Sequence, residues 1–155
     1  MKLLLLGMKA NLASERLLLT LWVGSLYAIG YLAVPMAFAT LGDVTLAGNY
    51  AGKLFSAVHY LGLAAGSVLI ITKVIVHGKS VLNFWRFWVL VAMFISTIVF
   101  VTYLQPEVSL VKQQMHDDSN LIEQFSLLHS ISKNLYLLIS LFGLALIVSF
   151  DRVES

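Results

Sequence analysis

The chain has no cysteine, two prolines and few charges. Without cysteine there is no disulfide, no thiolate metal site and no thiol nucleophile. Charged residues make up 12% of the 155 positions, whereas a soluble domain carries about 25%. Residues 17–42, 54–72, 87–106 and 134–150 contain no Asp, Glu, Lys or Arg at all. A membrane-spanning helix needs roughly 20 mostly apolar residues, and each stretch comes close to that length. No strand alternation, low-complexity tract or internal repeat interrupts them. The formal net charge of +2 is too small to indicate a nucleic-acid partner.

What is present is apolar: 59% hydrophobic residues and a mean hydropathy of +0.89. The pattern predicts an all-α, integral membrane four-helix bundle. It forms one domain over 1–155, with spans at about 15–40, 47–76, 83–105 and 120–150. The opening segment Met1 to Lys9 has a flavour of a signal peptide, but Lys9 cuts its apolar core short. It is expected to be an uncleaved amphipathic lead-in. Lys2, Lys9, Arg16, Lys73, Lys79, Arg86 and Arg152 cluster at one set of span ends. The positive-inside rule then places both termini in the cytoplasm.

Between the spans, Gln105-Pro106-Glu107 is expected to close span 3, because proline disfavours helix at the residue before it. Ser119, Asn120 and Glu123 carry helix-start chemistry for span 4. Gly78 and Asn83 belong to the turn between spans 2 and 3. Gly24 with Ala28, Gly48 with Gly52, and Gly62 with Gly66 are small-residue pairs that favour close helix approach. Trp22, Trp85 and Trp88 read as interface anchors.

Counting about 1.5 Å per residue from the basic anchors assigns each polar residue a depth. Lys53, Gln105, Glu107 and Lys133 converge about 27–32 Å from those anchors, with Asp43 just beyond. Asp43, Lys53, His59, Glu107, His129, Lys133 and Asn134 are therefore the candidate lining of an outward-facing polar cleft. Snorkelling of Lys53 and Lys133 to the headgroups is the plainer account of those two. Ser126, Ser130 and Lys133 share a helical stripe beside His129, which should face protein or water. His59 lies deeper, about 21 Å from Lys73, where ionisable groups are functional candidates. Tyr31, Thr102 and Tyr103 fall at similar depth and are its expected hydrogen-bond partners. A neutral, satisfied bundle histidine is the equally weighted alternative.

Bis-histidine haem ligation by His59 and His129 is disfavoured, because their heights differ by about 12 Å. Met115-His116-Asp117-Asp118 could hold a soft or borderline metal, but reads first as a solvated loop. No nucleophile–base–orienter set or phosphate loop is present. The expectation is therefore no enzyme activity and no cofactor. The expected partners are the lipid bilayer and a second copy or another membrane protein. The leading function is binding or passage of a small solute or ion. A scaffold role is the alternative, and haem or copper binding a second alternative.

Several segments together carry a family resemblance. They are Leu21-Trp22-Val23-Gly24, Val34-Pro35-Met36-Ala37-Phe38 with Leu41, Ala47-Gly48, Gly52-Lys53-Leu54-Phe55 and His59-Tyr60. The last is Leu128-His129-Ser130-Ile131-Ser132-Lys133-Asn134-Leu135. The chain resembles the transmembrane protein 205-like family, which in bacteria is a domain of unknown function. The resemblance implies a four-span bundle. A eukaryotic relative's link to platinum-drug resistance implies export or trafficking of metal-like solutes. The layout is more distantly similar to copper-resistance D-type and haem-pathway four-span proteins. Their histidine in span 1 has no counterpart here.

Overall fold

The four charge-free stretches fall on four long helical segments of the computed structural model, which describes residues 2–114 and 119–149. The segments are Ala13–Thr40, Val44–Asn83, Trp85–Lys112 and Asn120–Val148, each long and apolar enough to cross a membrane. Among the described residues there is no strand. Met115, His116, Asp117 and Asp118 lie outside the described residues, as do Asp151 and Arg152.

Six α-helices build the segments: α1 (Lys2–Tyr27), α2 (Val34–Thr40), α3 (Val44–His77), α4 (Trp85–Val99), α5 (Gln105–Gln114) and α6 (Ser119–Val148). Asp43 starts α3 from an extended backbone, its Oδ1 accepting from Thr45 N at 2.7 Å and Leu46 N at 3.0 Å. Those are the N–H groups that a helix start leaves unpaired. Gly42 before it has φ +67°, a conformation that suits glycine in the tight α2–α3 turn. Gly78 ends α3 at φ +53°, and a 3-10 turn, Gly78–Asn83, leads into α4.

Both prolines follow π-helical turns. Ala28–Ala33 precedes Val34-Pro35, and Phe100–Leu104 precedes Gln105-Pro106. Proline lacks an N–H and its ring clashes with the carbonyl four residues back. A wider π turn relieves that clash without ending the helix. Span 3 therefore does not close at Pro106 as its sequence suggests. The helix absorbs the proline and runs on to Gln114.

Around the bundle, α3 and α6 each pack against both α1 and α4, so α1 lies diagonal to α4 and α3 diagonal to α6. At one end, called distal here, α2 covers α3 and α5 covers α6. At the other, basal end, Lys73 Nζ pairs with Glu15 Oε1 at 2.7 Å and Arg86 donates to Ser149 O. The core between them holds Trp22, Leu26, Leu90, Met93 and Ile139. Trp22 is thus no interface anchor: it is 0% exposed, its indole laid against Gly62, where a Cβ would collide with it, and beside Gly66. Trp85 and Trp88 are exposed, as interface anchors would be. Leu17, Ile71, Ile75 and Val148 are among many large apolar side chains turned outward. That surface suits lipid rather than water.

Candidate functional site

His59 is buried in the described bundle interior, 1% exposed on α3. Its Nδ1 lies 2.6 Å from Phe55 O. Since a carbonyl only accepts, Nδ1 carries a proton, and in the neutral ring Nε2 presents a lone pair. That Nε2 is buried and has no hydrogen-bond partner. The ring stacks on Phe100 at 3.8 Å and 6° and meets Tyr136 at 5.9 Å and 61°. Phe55 closes the cage edge-on to Tyr136 at 5.0 Å.

The cage sits between the two π turns. Phe100 opens the π turn of span 3. Gly30, inside the π turn of span 1, faces the Tyr136 ring so closely that a Cβ has no room. The Tyr136 hydroxyl donates to Leu26 O at 2.6 Å. All four spans thus contribute to one level of the bundle, and π turns recur at functional positions. The expected partners of His59 do not meet it: Thr102 donates to Ile98 O, and Tyr31 and Tyr103 are exposed. Aromatic faces surround the imidazole instead.

The remaining candidates are spread over the distal half. Asp43 caps α3, and its carboxylate is engaged there. Lys53 is exposed on the far side of α3 from the buried stripe Ala47, Ala51, Val58 and Ala65. Glu107 is half-buried on α5. His129 is exposed on α6, stacked on Phe125 at 6.0 Å and 16°. Lys133 and Asn134 are exposed on the same helix. Because α3 and α6 are diagonal, the outward-facing Lys53 shares no cleft with Lys133 within one chain. His129 likewise stands apart from the caged His59. Among the described residues, no group of three His, Asp or Glu could hold a metal ion, and neither lysine is ion-paired.

The polar contacts that do close the distal end are ones the depth count only grazed. Gln105 Nε2 donates to Gly52 O at 2.9 Å and Ser56 Oγ at 3.0 Å. Lys112 Nζ donates to Asn49 Oδ1 at 2.8 Å, over the backbone of Gly48. The small pair Gly48 and Gly52 therefore admits polar side chains from α5 rather than another backbone.

One surface was not singled out from the sequence. Leu127, Ser130, Asn134, Leu137, Leu141, Leu144 and Val148 recur along α6 at alternating steps of three and four, and all are exposed. That is the spacing of a helix–helix seam, with asparagine near its middle. The alternating interval is legible in the sequence; exposure is what separates this face from the buried one.

Residues 17–117 match the family described as Domain of unknown function (DUF4149). Among curated proteins and among solved structures, nothing matches the chain.

Proposed function

The chain belongs to the DUF4149 family, and from that premise we propose that it is a non-enzymatic, multi-pass protein of the bacterial inner membrane that works as a homodimer. Asn134 carries the proposal. It is exposed on α6 about 22 Å along the helix from Ser149, inside a hydrocarbon layer about 30 Å thick. An amide there needs a donor and an acceptor, and it is too short to snorkel to the headgroups. The amide of a second copy supplies both, with α6 packed against α6 about a two-fold axis along the membrane normal.

Both chains then have their termini in the cytoplasm, as the basic basal end favours. Pairing through α6 brings the two Lys133 and two His129 side chains to the flanks of one seam. The polar cleft expected from the sequence becomes a feature between subunits, and its paired cations favour a small anionic solute. Lys53, on the diagonal helix, stands outside it. We infer kinship with the transmembrane protein 205-like proteins on the segments quoted above. No nucleic-acid partner is involved.

The absence of native cysteine makes the test clean. Single-cysteine Ser130→Cys protein in native membranes cross-links to a dimer of about twice 17.1 kDa. An intramembrane amide pair contributes about 0.6–2 kcal/mol, so Asn134→Val weakens association about 3- to 30-fold. A monodisperse monomer, with no change on Asn134→Val, refutes the homodimer. Stoichiometric capture of a different membrane protein by the same face establishes the scaffold reading instead.

A further inference from the structure

The exposed face of α6 does not stop at the membrane. Counting back from Leu127 by the same steps of four and three reaches Glu123 and then Asn120, both exposed. Glu123 falls on the line of Leu127, Ser130 and Asn134, opposite Leu121, Phe125 and Leu128, which pack into the bundle. It stands about 15 Å beyond Lys133 along the helix, on the water side of the distal interface. We propose that the α6 seam extends to this point, where the two Glu123 carboxylates of a homodimer face each other and set how tightly the copies hold. The inference rests on the homodimer read above and deepens it, by naming the group that regulates the pair.

Symmetry supplies the encounter. In a parallel two-fold pair, a seam residue meets its own copy at the same height. At Asn134 the meeting is favourable, because an amide both donates and accepts. At Glu123 it is unfavourable, because an ionised carboxylate only accepts and carries charge. Two like charges at one seam position oppose pairing, so the water-side end of α6 counteracts the intramembrane end held by Asn134. The pair is thereby reversible, and it tightens when a proton neutralises one carboxylate.

Nothing among the described residues offsets that charge. Glu123 has no ion pair there. On its own helix the next titratable groups are His129 and Lys133, about 9 and 15 Å further along. From α5, which carries Glu107 and Lys112, Val108 and Val111 meet the opposite, Leu121–Leu128 face of α6, and Lys112 is turned to Asn49 of α3. The π turn Phe100–Leu104 has no charged residue, and α1 and α4 carry theirs, Glu15, Arg16 and Arg86 among them, toward the basal end. His116, Asp117 and Asp118, which precede α6, lie outside the described residues.

The test uses the full chain, labelled for energy transfer, in liposomes of fixed composition. Glu123→Gln is expected to tighten association at about pH 7.5 by about two- to fivefold. It should also flatten a tightening of similar size that the parent shows as pH falls to about 4.5. In an equimolar mixture, parent and Glu123→Lys chains should pair with each other beyond the random share. Single-cysteine Glu123→Cys protein should cross-link as readily as Ser130→Cys. A carboxylate that serves only the start of α6 predicts lower thermal stability in Glu123→Gln with no gain in association. Equal or weaker association of Glu123→Gln overturns the proposal. So does a seam that cross-links at Ser130→Cys and not at Glu123→Cys, because it ends within the membrane. A protein that stays monomeric in every variant refutes the homodimer itself, and the carboxylate pair with it.

Discussion

Gly62→Ala is the sharpest probe of the packing described above. A Cβ at Gly62 would overlap Trp22 Nε1 and stand 2.8 Å from Cε2 and 3.2 Å from Cδ1. The favourable separation for such atoms is about 3.5–4.0 Å. The indole is 0% exposed, so it retreats only by displacing the core packed around it. Overpacking of this kind costs about 1–3 kcal/mol. Trp22→Phe carries a cost of its own from the smaller ring, but breaks no hydrogen bond, because Nε1 has no partner. In the double variant the smaller ring makes room for the new methyl. The two costs should then fall short of their sum by about 1 kcal/mol or more. Reversible unfolding in mixed micelles, followed by helical circular dichroism and by the fluorescence of Trp85 and Trp88, measures all four corners of the cycle. Additivity within about 0.5 kcal/mol refutes the Trp22–Gly62 contact.

Gln105→Leu removes the two hydrogen bonds that join α5 to Gly52 and Ser56, and should cost about 1–2 kcal/mol in the same unfolding assay. An unchanged midpoint would mean that the distal end does not depend on this clasp. Asp43→Ala strips the cap from α3 and should cost about 1 kcal/mol, with faster amide exchange at Thr45 and Leu46. Asp43→Asn keeps an acceptor oxygen and should exchange like the parent. If both variants exchange alike, the capping assignment fails.

The spans were legible because a missing charge over some twenty residues has one dominant physical cause. Where the helices end was less legible. Pro106 carries a real steric signal, but a π turn answers it as well as a helix end does, and which answer wins depends on packing. Here Phe100 and Leu104 are buried against Val111 and Leu128, so continuing the helix keeps that cluster together. Trp22 misled for a similar reason. Tryptophan near a span end is usually at the interface, but Gly62 and Gly66, distant in sequence, open a slot for it in the core. Asp43 was noticed for its charge and depth, while its role is local: it caps the helix that follows.

Depth along a helix can be counted from sequence, whereas direction around the bundle cannot. Lys53 and Lys133 count to similar heights, yet the order of neighbours puts them on diagonal helices, and only contacts between distant residues set that order. The same counting, applied to aromatic residues, would have served His59 better. Phe100 lies about 21 Å from Arg86 and Tyr136 about 22 Å from Asp151, level with His59 at about 21 Å from Lys73. Polar partners were the natural search because a buried imidazole needs hydrogen bonds. The Phe55 carbonyl supplies one from a turn away, and ring faces fill the remaining space. Both prolines place their π turns near this level. A register change at the span 1 turn would press Gly30 against Tyr136, and one at the span 3 turn would move Phe100 beneath the imidazole. The histidine is therefore coupled mechanically to the two least regular turns of the bundle, and neither can shift without repacking it.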